Sequence, residues 1–457
     1  MAKQESNDEG GTKMRLVIPP TVLRACEILT RHGYQAYLVG GAVRDSYLGL
    51  KPTDWDITTD AIPEDVELLF DRTIPTGKLF GTVTVLLEDT PLEITTMRSD
   101  GPYSDGRHPD YIAFTKRLED DLGRRDFTIN ALAYDPLLHR TIDPFSGAKH
   151  LRKELLVTVG NPADRFQEDP LRMLRLVRFQ STLGFKIEKK TRLTLPELAR
   201  LIIHVSPERI LSELNKMLLG KELFLSLETL YTSGLMEQII PELAAGYKVS
   251  AGGRHPYDLL GHAMATAHFA APILTLKWAA LLHDVGKLET LKRDHAQISA
   301  RWAEKILRRL RASSVLTEKV SILIAHHMFA VHPHSSDREI RRFLAQVGFE
   351  TAYELVKLRQ ADMAGLHVNP RQILSFGEAL EARLNEVFAQ EHALSVKDLC
   401  IDGHELMKAF DLKPGPLVGK ILQHLLEQVW DDPSLNQPTQ LKELAQGYLE
   451  SLPQNRG

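Results

Sequence analysis

The chain has almost no cysteine. Cys26 and Cys400 are the only two in 457 residues. That excludes a disulfide framework and a thiolate metal centre, and it suits a cytoplasmic protein. There is no apolar run long enough to span a bilayer and no pattern of a secretory leader, so no membrane partner is expected. Excess basic charge is also missing, with 56 Lys and Arg against 60 Asp and Glu. This argues against a wholesale nucleic-acid coat but leaves room for a local basic groove. No internal repeat is seen. The opening MAKQESNDEGGTK is polar, so residues 1–14 are expected to form a disordered lead.

What is present is length and a change of pattern. A chain of 457 residues is too long for one core, and its 43% hydrophobic content is ordinary for globular domains. The first third mixes strands and helices. Tyr37-Leu38-Val39 reads as a strand, Gly40-Gly41 as a turn and Ala42 to Leu48 as a helix. Trp55 to Thr58 reads as a strand and PEDVELLF as a helix with proline and acids in its first turn. GTVTVLLEDTPLEITTMR reads as a hairpin turning at Asp-Thr-Pro, and SDGPYSDGRHP (Ser99 to Pro109) as a loop. Beyond about Asp164 the pattern is nearly all helical. The expected fold class is therefore α/β plus all-α, with a mixed-sheet head at 15–160. Helical parts follow at 161–245, 246–370 and 371–457.

Four groups of residues carry chemistry. In the first, Asp54 and Asp56 lie two apart on a predicted strand, which points both carboxylates to one face. Paired carboxylates invite a hard cation such as Mg²⁺, which shares its shell with phosphate oxygens. Glu93 on the hairpin can add a third. Gly40-Gly41 allows close backbone approach to phosphate at a helix start, and Arg44 lies one turn in. In the second, GRRDFTINA, Arg125 can reach phosphate, and Asp126 can accept from a ribose hydroxyl. The plain alternative is a capped helix start with solvated charges. The third is EDPLRMLRLVRF, with Asp169, Arg172, Arg175 and Arg178 at three-residue spacing. Asp169 can be a simple N-cap before Pro170. It can also face the same way as Arg172. Cytosine and adenine each present an amino donor beside a ring-nitrogen acceptor, which a carboxylate and a guanidinium complement. Uracil and guanine present the reverse order and leave buried groups unpaired. Arg175 and Arg178 suit a triphosphate or an RNA backbone.

LVGGAVRD, TDWDITT, PTGKLFGTVTV, RRDFTINALAYD, DPFSGAKHL and EDPLRMLRLVRF together resemble the class II tRNA nucleotidyltransferases, the CCA-adding family. The resemblance implies a polymerase-beta-like nucleotidyltransferase head with Mg²⁺ on Asp54 and Asp56. It also implies nucleotide contacts from Gly41, Arg44, Arg125, Asp126, Asp169, Arg172, Arg175 and Arg178. The substrates would be CTP, ATP and the acceptor stem and 3′ end of tRNA, held by a monomer or homodimer. Ser99 to Pro109, with Asp105 and Arg107, is similar to the flexible loop that family members need to turn from CTP to ATP. An enzyme adding only the terminal A, or a poly(A) polymerase, is the alternative. The tail LAQGYLESLPQNRG is not basic, unlike that of poly(A) polymerases.

The fourth group is a set of histidines between 255 and 367 around Leu281-Leu282-His283-Asp284-Val285-Gly286-Lys287. Imidazole and carboxylate ligands at such positions suit a divalent transition metal. The segment resembles the metal-dependent phosphohydrolases named for the His-Asp dipeptide. His262, His283, Asp284 and Asp362 are the expected ligands. His295, with His326 or His327, would serve a second ion. A scaffold role for tRNA or for dimerisation is the alternative.

Overall fold

The computed structural model describes residues 4–5, 13–14, 16–103, 106, 109–252, 256–290, 294–389 and 395–452. They form two compact units, Met1–Ala244 and Ala245–Gly457. Much of the expected lead lies outside the described residues. Within it, Gln4–Glu5 and Lys13–Met14 pair as a short antiparallel ladder that the polar composition did not suggest.

The first unit opens with α1 (Pro20–Arg31), β1 (Ala36–Val39) and α2 (Gly41–Tyr47). Next come β2 (Asp56–Thr59), α3 (Pro63–Leu69), β3 (Thr73–Gly77), β4 (Thr82–Leu87) and β5 (Thr90–Thr96). β6 (Ala133–Asp135) and β7 (Arg140–Ile142) complete a seven-stranded sheet in the order β7-β6-β1-β2-β5-β4-β3. Only the β2–β5 pair is parallel. Period-two alternation explains the faces: Val83, Val85, Leu92 and Ile94 are buried, while Thr82, Thr84 and Glu93 point away from that core. α3 packs on β4 and β5.

Three local expectations need correction. β2 starts at Asp56, so Asp54 precedes the strand instead of lying on it. The β4–β5 turn is Glu88-Asp89, both at positive φ, one step before the expected Asp-Thr-Pro. Pro91 sits inside β5 because β2 pairs only from Glu93 onward, leaving its missing N–H without a ladder to break. Ser99 and Asp100 belong to a strand paired with Ile112–Phe114, so the loop begins after Asp100. Asp105 and Arg107 lie outside the described residues.

The helical part of this unit includes α4 (Pro162–Glu168), α5 (Leu171–Leu183) and α6 (Pro207–Leu218). α5 packs against α6 and ends at Gly184, in the left-handed region at φ 77°. Pro170 occupies the cap position rather than the first helical one.

Among the described residues of the second unit the named elements are all helices, with one isolated bridge between Ser250 and Asp258. They include α7 (Leu259–Phe269), α8 (Leu274–Leu282), α9 (His295–Arg309), α10 (Ser314–His326) and α11 (Phe349–Gly365). Fully buried Trp278 on α8 lies at its core. A helix over Pro416–Asp431 lies between the Pro and Asp breaks expected at 413–416 and 431–433.

Candidate nucleotide and metal sites

Antiparallel pairing sets Val39 opposite Asp56, and parallel pairing sets Asp56 opposite Glu93. Directly paired residues share a sheet face, so the Asp56 and Glu93 side chains are neighbours. Asp54 is exposed just ahead of β2, where Thr53 Oγ1 donates to it at 3.2 Å. Burial raises the Asp56 carboxyl above its usual range. Arg125 opposes the rise, and the charges of Glu93 and Asp54 add to it. A buried carboxylate with two further acids beside it fits a divalent cation with hard oxygen ligands.

Gly40 is at φ 72°, and a Cβ there would lie 3.1 Å from Arg125 Nη1 and 3.3 Å from Asp56 Oδ2. Glycine is therefore required twice, by its backbone and by its neighbours. The α2 start lands beside the carboxylates for the same reason.

From α2 a chain of polar contacts runs across the site. Arg44 Nη1 donates to Asn130 Oδ1 at 2.7 Å, and Asn130 Nδ2 donates to Asp126 Oδ1 at 3.0 Å. Asp126 Oδ1 also accepts the Phe127 N–H at 2.8 Å, and its Oδ2 accepts from Arg175 Nε at 2.8 Å and Nη2 at 2.6 Å. Burial works against this carboxylate, but the Arg175 charge and the Asn130 hydrogen bond hold its pKa at about 2. A carboxylate offers about four acceptor positions. All are taken by the protein, so a ribose hydroxyl would have to displace one of these donors. Arg178 pairs with Glu213 at 2.6 Å and lies 3.8 Å over the Phe179 ring.

Asp169 precedes the Pro170 cap position of α5 by one residue, and its side chain still satisfies a helix-start N–H, since its Oδ1 accepts the Leu171 N–H at 3.1 Å. Its Oδ2 accepts from Arg209 of α6 at 2.7 Å. Arg172 is buried. It donates to Glu168 at 2.5 Å and to the carbonyls of Arg165 and Arg124 at 3.3 and 3.1 Å. These contacts use three of its five N–H groups and fix the plane of the guanidinium, leaving Nε–H and one Nη2–H.

One cavity of about 430 Å³ is lined by Gly40, Gly41, Arg44, Asp56, Arg125, Asp126, Asp169, Arg172, Arg175 and Arg178. Three sequence groups, drawn from residues 40–56, 124–130 and 169–179, thus share one space. Asp54 and Glu93 are not in its lining. Arg124, Asn130, Phe179 and Arg209 also line it. Arg209 and Glu213 escaped sequence reading because they look like ordinary charges on an amphipathic helix. A clue lies in their spacing of four, which places both on one face of α6.

In the second unit, His262 on α7 meets Asp362 on α11, Nε2 to Oδ1, at 3.1 Å. Asp284 lies between two groups. Its Oδ2 is 3.6 Å from His262 and 3.3 Å from His283, and its Oδ1 is 3.1 Å from His295 and 3.7 Å from His327. All four expected ligands meet, and His295 and His327 lie beside them, whereas His326 does not. His326 lines a separate cavity with Met328, Phe343 and Gln346. Backbone carbonyls of Ala280 and Ile324 fix His283 and His327 through Nδ1, at 2.8 and 2.7 Å, which turns Nε2 toward the cluster. Burial, then the His283 charge, lower His327 to about 3 and keep it in the neutral form that ligates metals. The triads His262-His283-Asp284 and Asp284-His295-His327 each bring three ligand atoms within 4.8 Å of one another. Lys287 Nζ lies 2.6 Å from Asp284.

Residues 36–157 match the family model described as "Poly A polymerase head domain". Residues 184–246 match "Probable RNA and SrmB- binding site of polymerase A", and 276–445 match a model of "tRNA nucleotidyltransferase domain 2". A CCA-adding enzyme of Bacillus velezensis is 34% identical over 418 residues, 91% of this chain and 94% of the relative. One of Geobacillus kaustophilus is 46% identical over 217 residues, 48% of this chain and 53% of the relative. The crystal structure of the Bacillus stearothermophilus CCA-adding enzyme in complex with CTP superposes with a TM-score of 0.74. It is 28% identical and covers 95% of this chain and 99% of its own. No helix among the described residues is long and apolar enough to cross a membrane.

Proposed function

The chain belongs to the CCA-adding enzymes, which are tRNA nucleotidyltransferases, and from that premise we propose how its first unit builds a tRNA 3′ end. The reaction is template-independent addition of C, C and A from CTP and ATP. The tRNA 3′-oxygen forms a bond to the α-phosphorus, the bond to the β-phosphate oxygen breaks, pyrophosphate leaves and the hydroxyl proton passes to solvent. The observation that carries the residue assignment is the shared cavity in which Asp56, the arginine set and the Asp169–Arg172 pair meet.

Asp169 accepts from the amino group of cytosine or adenine, and Arg172 donates to the adjacent ring nitrogen. Glu168, the Arg124 carbonyl and Arg209 hold the pair in place. Gly41, Arg44, Arg125, Arg175 and Arg178 receive the phosphates. Asp126 fixes Arg175 and Asn130. Asp54, Asp56 and Glu93 would hold divalent metal, with Mg²⁺ the fitting ion for an all-oxygen set. When bound, such ions supply charge stabilisation to the attacking and leaving oxygens. The domain organisation that fits is a head at 15–160, helical neck and body at 161–245, a metal domain at 246–370 and a tail at 371–457.

For the second unit, the His-Asp cluster supports binding of a divalent transition metal by His262, His283, Asp284 and Asp362, with His295 and His327 beside a second ion. A metal held there supplies water activation for phosphoester hydrolysis. Elemental analysis of purified protein tests the site.

The transfer reading is tested with tRNA ending before CCA and tRNA ending in CC, each with labelled CTP or ATP. Both are extended, and extension stops at CCA. Extension of only the CC-ended tRNA with ATP would mark an A-adding enzyme, and a growing A tail a poly(A) polymerase. No extension of either would overturn the assignment.

A further inference from the structure

We propose that Phe179 is a positioning residue for nucleotide transfer, gathering three of the arginines assigned to the phosphates around one ring. This rests on the transfer reading and adds to it a side chain with no polar atom. Phe179 lies in the last turns of α5 and is 3% exposed. The guanidinium carbon of Arg178 lies 3.8 Å from its ring centroid, that of Arg44 5.2 Å and that of Arg175 5.7 Å. The Phe127 ring meets it almost at right angles, with the centroids 5.7 Å apart. One ring thus joins all three sequence groups that build the cavity: α2 through Arg44, the GRRDF segment through Phe127, and α5 through Arg175 and Arg178.

Three like charges around one point repel, so they need something to hold them there. Carboxylates do part of this. Asp45 pairs with Arg44 at 2.8 Å, Asp126 with Arg175 at 2.6 Å and Glu213 with Arg178 at 2.6 Å. Each carboxylate, however, takes up N–H groups, and a phosphate needs the same groups. A fourth acid would compete with the triphosphate. An aromatic face attracts a cation through its quadrupole and leaves the N–H edges of the guanidinium for an anion. The attraction is strongest away from water, and this ring is buried. Core packing alone asks only for an apolar side chain of this volume. Significant cation–aromatic contacts occur about once in 70–80 residues, so three on one ring exceed what packing brings by itself. Each is worth about two- to fivefold in an equilibrium constant.

The test separates the quadrupole from the bulk. Phenylalanine bearing one, two or three ring fluorines is installed at position 179 of the full-length protein by nonsense suppression. Fluorine nearly keeps the size and burial of the ring but drains its negative face step by step. For addition of CTP to tRNA lacking CCA, kcat/KM should fall about twofold per fluorine, with the KM for tRNA constant within about twofold and Tm unchanged. Phe179→Leu, which keeps an apolar side chain without a π face, should lose about tenfold in the same kcat/KM. A series that stays flat in kcat/KM, with an active wild type, would make Phe179 a packing residue and overturn the proposal. If the wild-type protein extends no tRNA, the transfer reading fails, and this inference falls with it.

Discussion

Asp169→Ala separates a base reader from a helix cap. The substitution removes the acceptor of the Leu171 N–H, which costs about 1 kcal/mol. It also removes a part-exposed ion pair with Arg209, worth up to about 1 kcal/mol. A stability loss of about 1–2 kcal/mol follows whatever the function, lowering Tm by a few degrees. Base reading adds a separate effect. Without the carboxylate, cytosine loses its partner and uracil loses the clash of acceptor against acceptor. One mismatched buried hydrogen bond is worth about 1–3 kcal/mol, so preference for CTP over UTP should fall roughly 5- to 150-fold. The assay is single-turnover addition of CTP and of UTP to tRNA lacking CCA, compared as kcat/KM. If both rates drop equally and the ratio stays within about twofold, Asp169 is a cap and the reading is wrong. Replacing Arg172 with Ala as well should relax the choice further.

Gly40→Ala adds about 1–2 kcal/mol of left-handed strain and pushes Arg125 and Asp56 apart. Its kcat for CTP addition should fall about 100-fold or more while the protein still folds. Asp54→Ala should abolish tRNA extension and leave the metal content of the second unit intact. His283→Ala should do the reverse, as read by elemental analysis and extension assays. Asp126 has a folded pKa of about 2 against an ordinary 3.8, so its contribution to stability is present above about pH 4 and is lost as pH falls from there to 2. The shift corresponds to about 2 kcal/mol, so Asp126→Asn should cost that much at pH 6 and little at pH 2 by denaturant titration.

Much of the first site is legible because its chemistry is local. Strand, Gly40-Gly41 and α2 follow from period and turn chemistry, and Asp169-Pro170 announces the start of α5. What escaped is set by tertiary pairing. Nothing before Arg209 and Glu213 in the chain marks them as partners of Asp169 and Arg178. Their helix would read the same way if both faced water. How fully the Asp126 oxygens are used is not visible in sequence, because their donors come from both α5 and the segment just after Asp126. The turn at Glu88-Asp89 is hidden in the sequence because Pro91 reads as a turn residue. Only the reach of β2 shows why a strand can hold it. His327 over His326 depends on one residue of rotation at the end of α10, which sequence spacing does not resolve.

In the proposed reading, Asp169 and Arg172, held by Glu168, the Arg124 carbonyl and Arg209, put only one binary question to an incoming nucleotide: whether its edge reads donor-then-acceptor. That question divides four letters into two classes of two, and cytosine and adenine fall in the same class. The pair therefore carries one bit, whereas writing C, C and A in order takes a count as well. The count must be kept outside the pair. The growing RNA end is the component that changes at each step, so in the proposed reading the count lies with it.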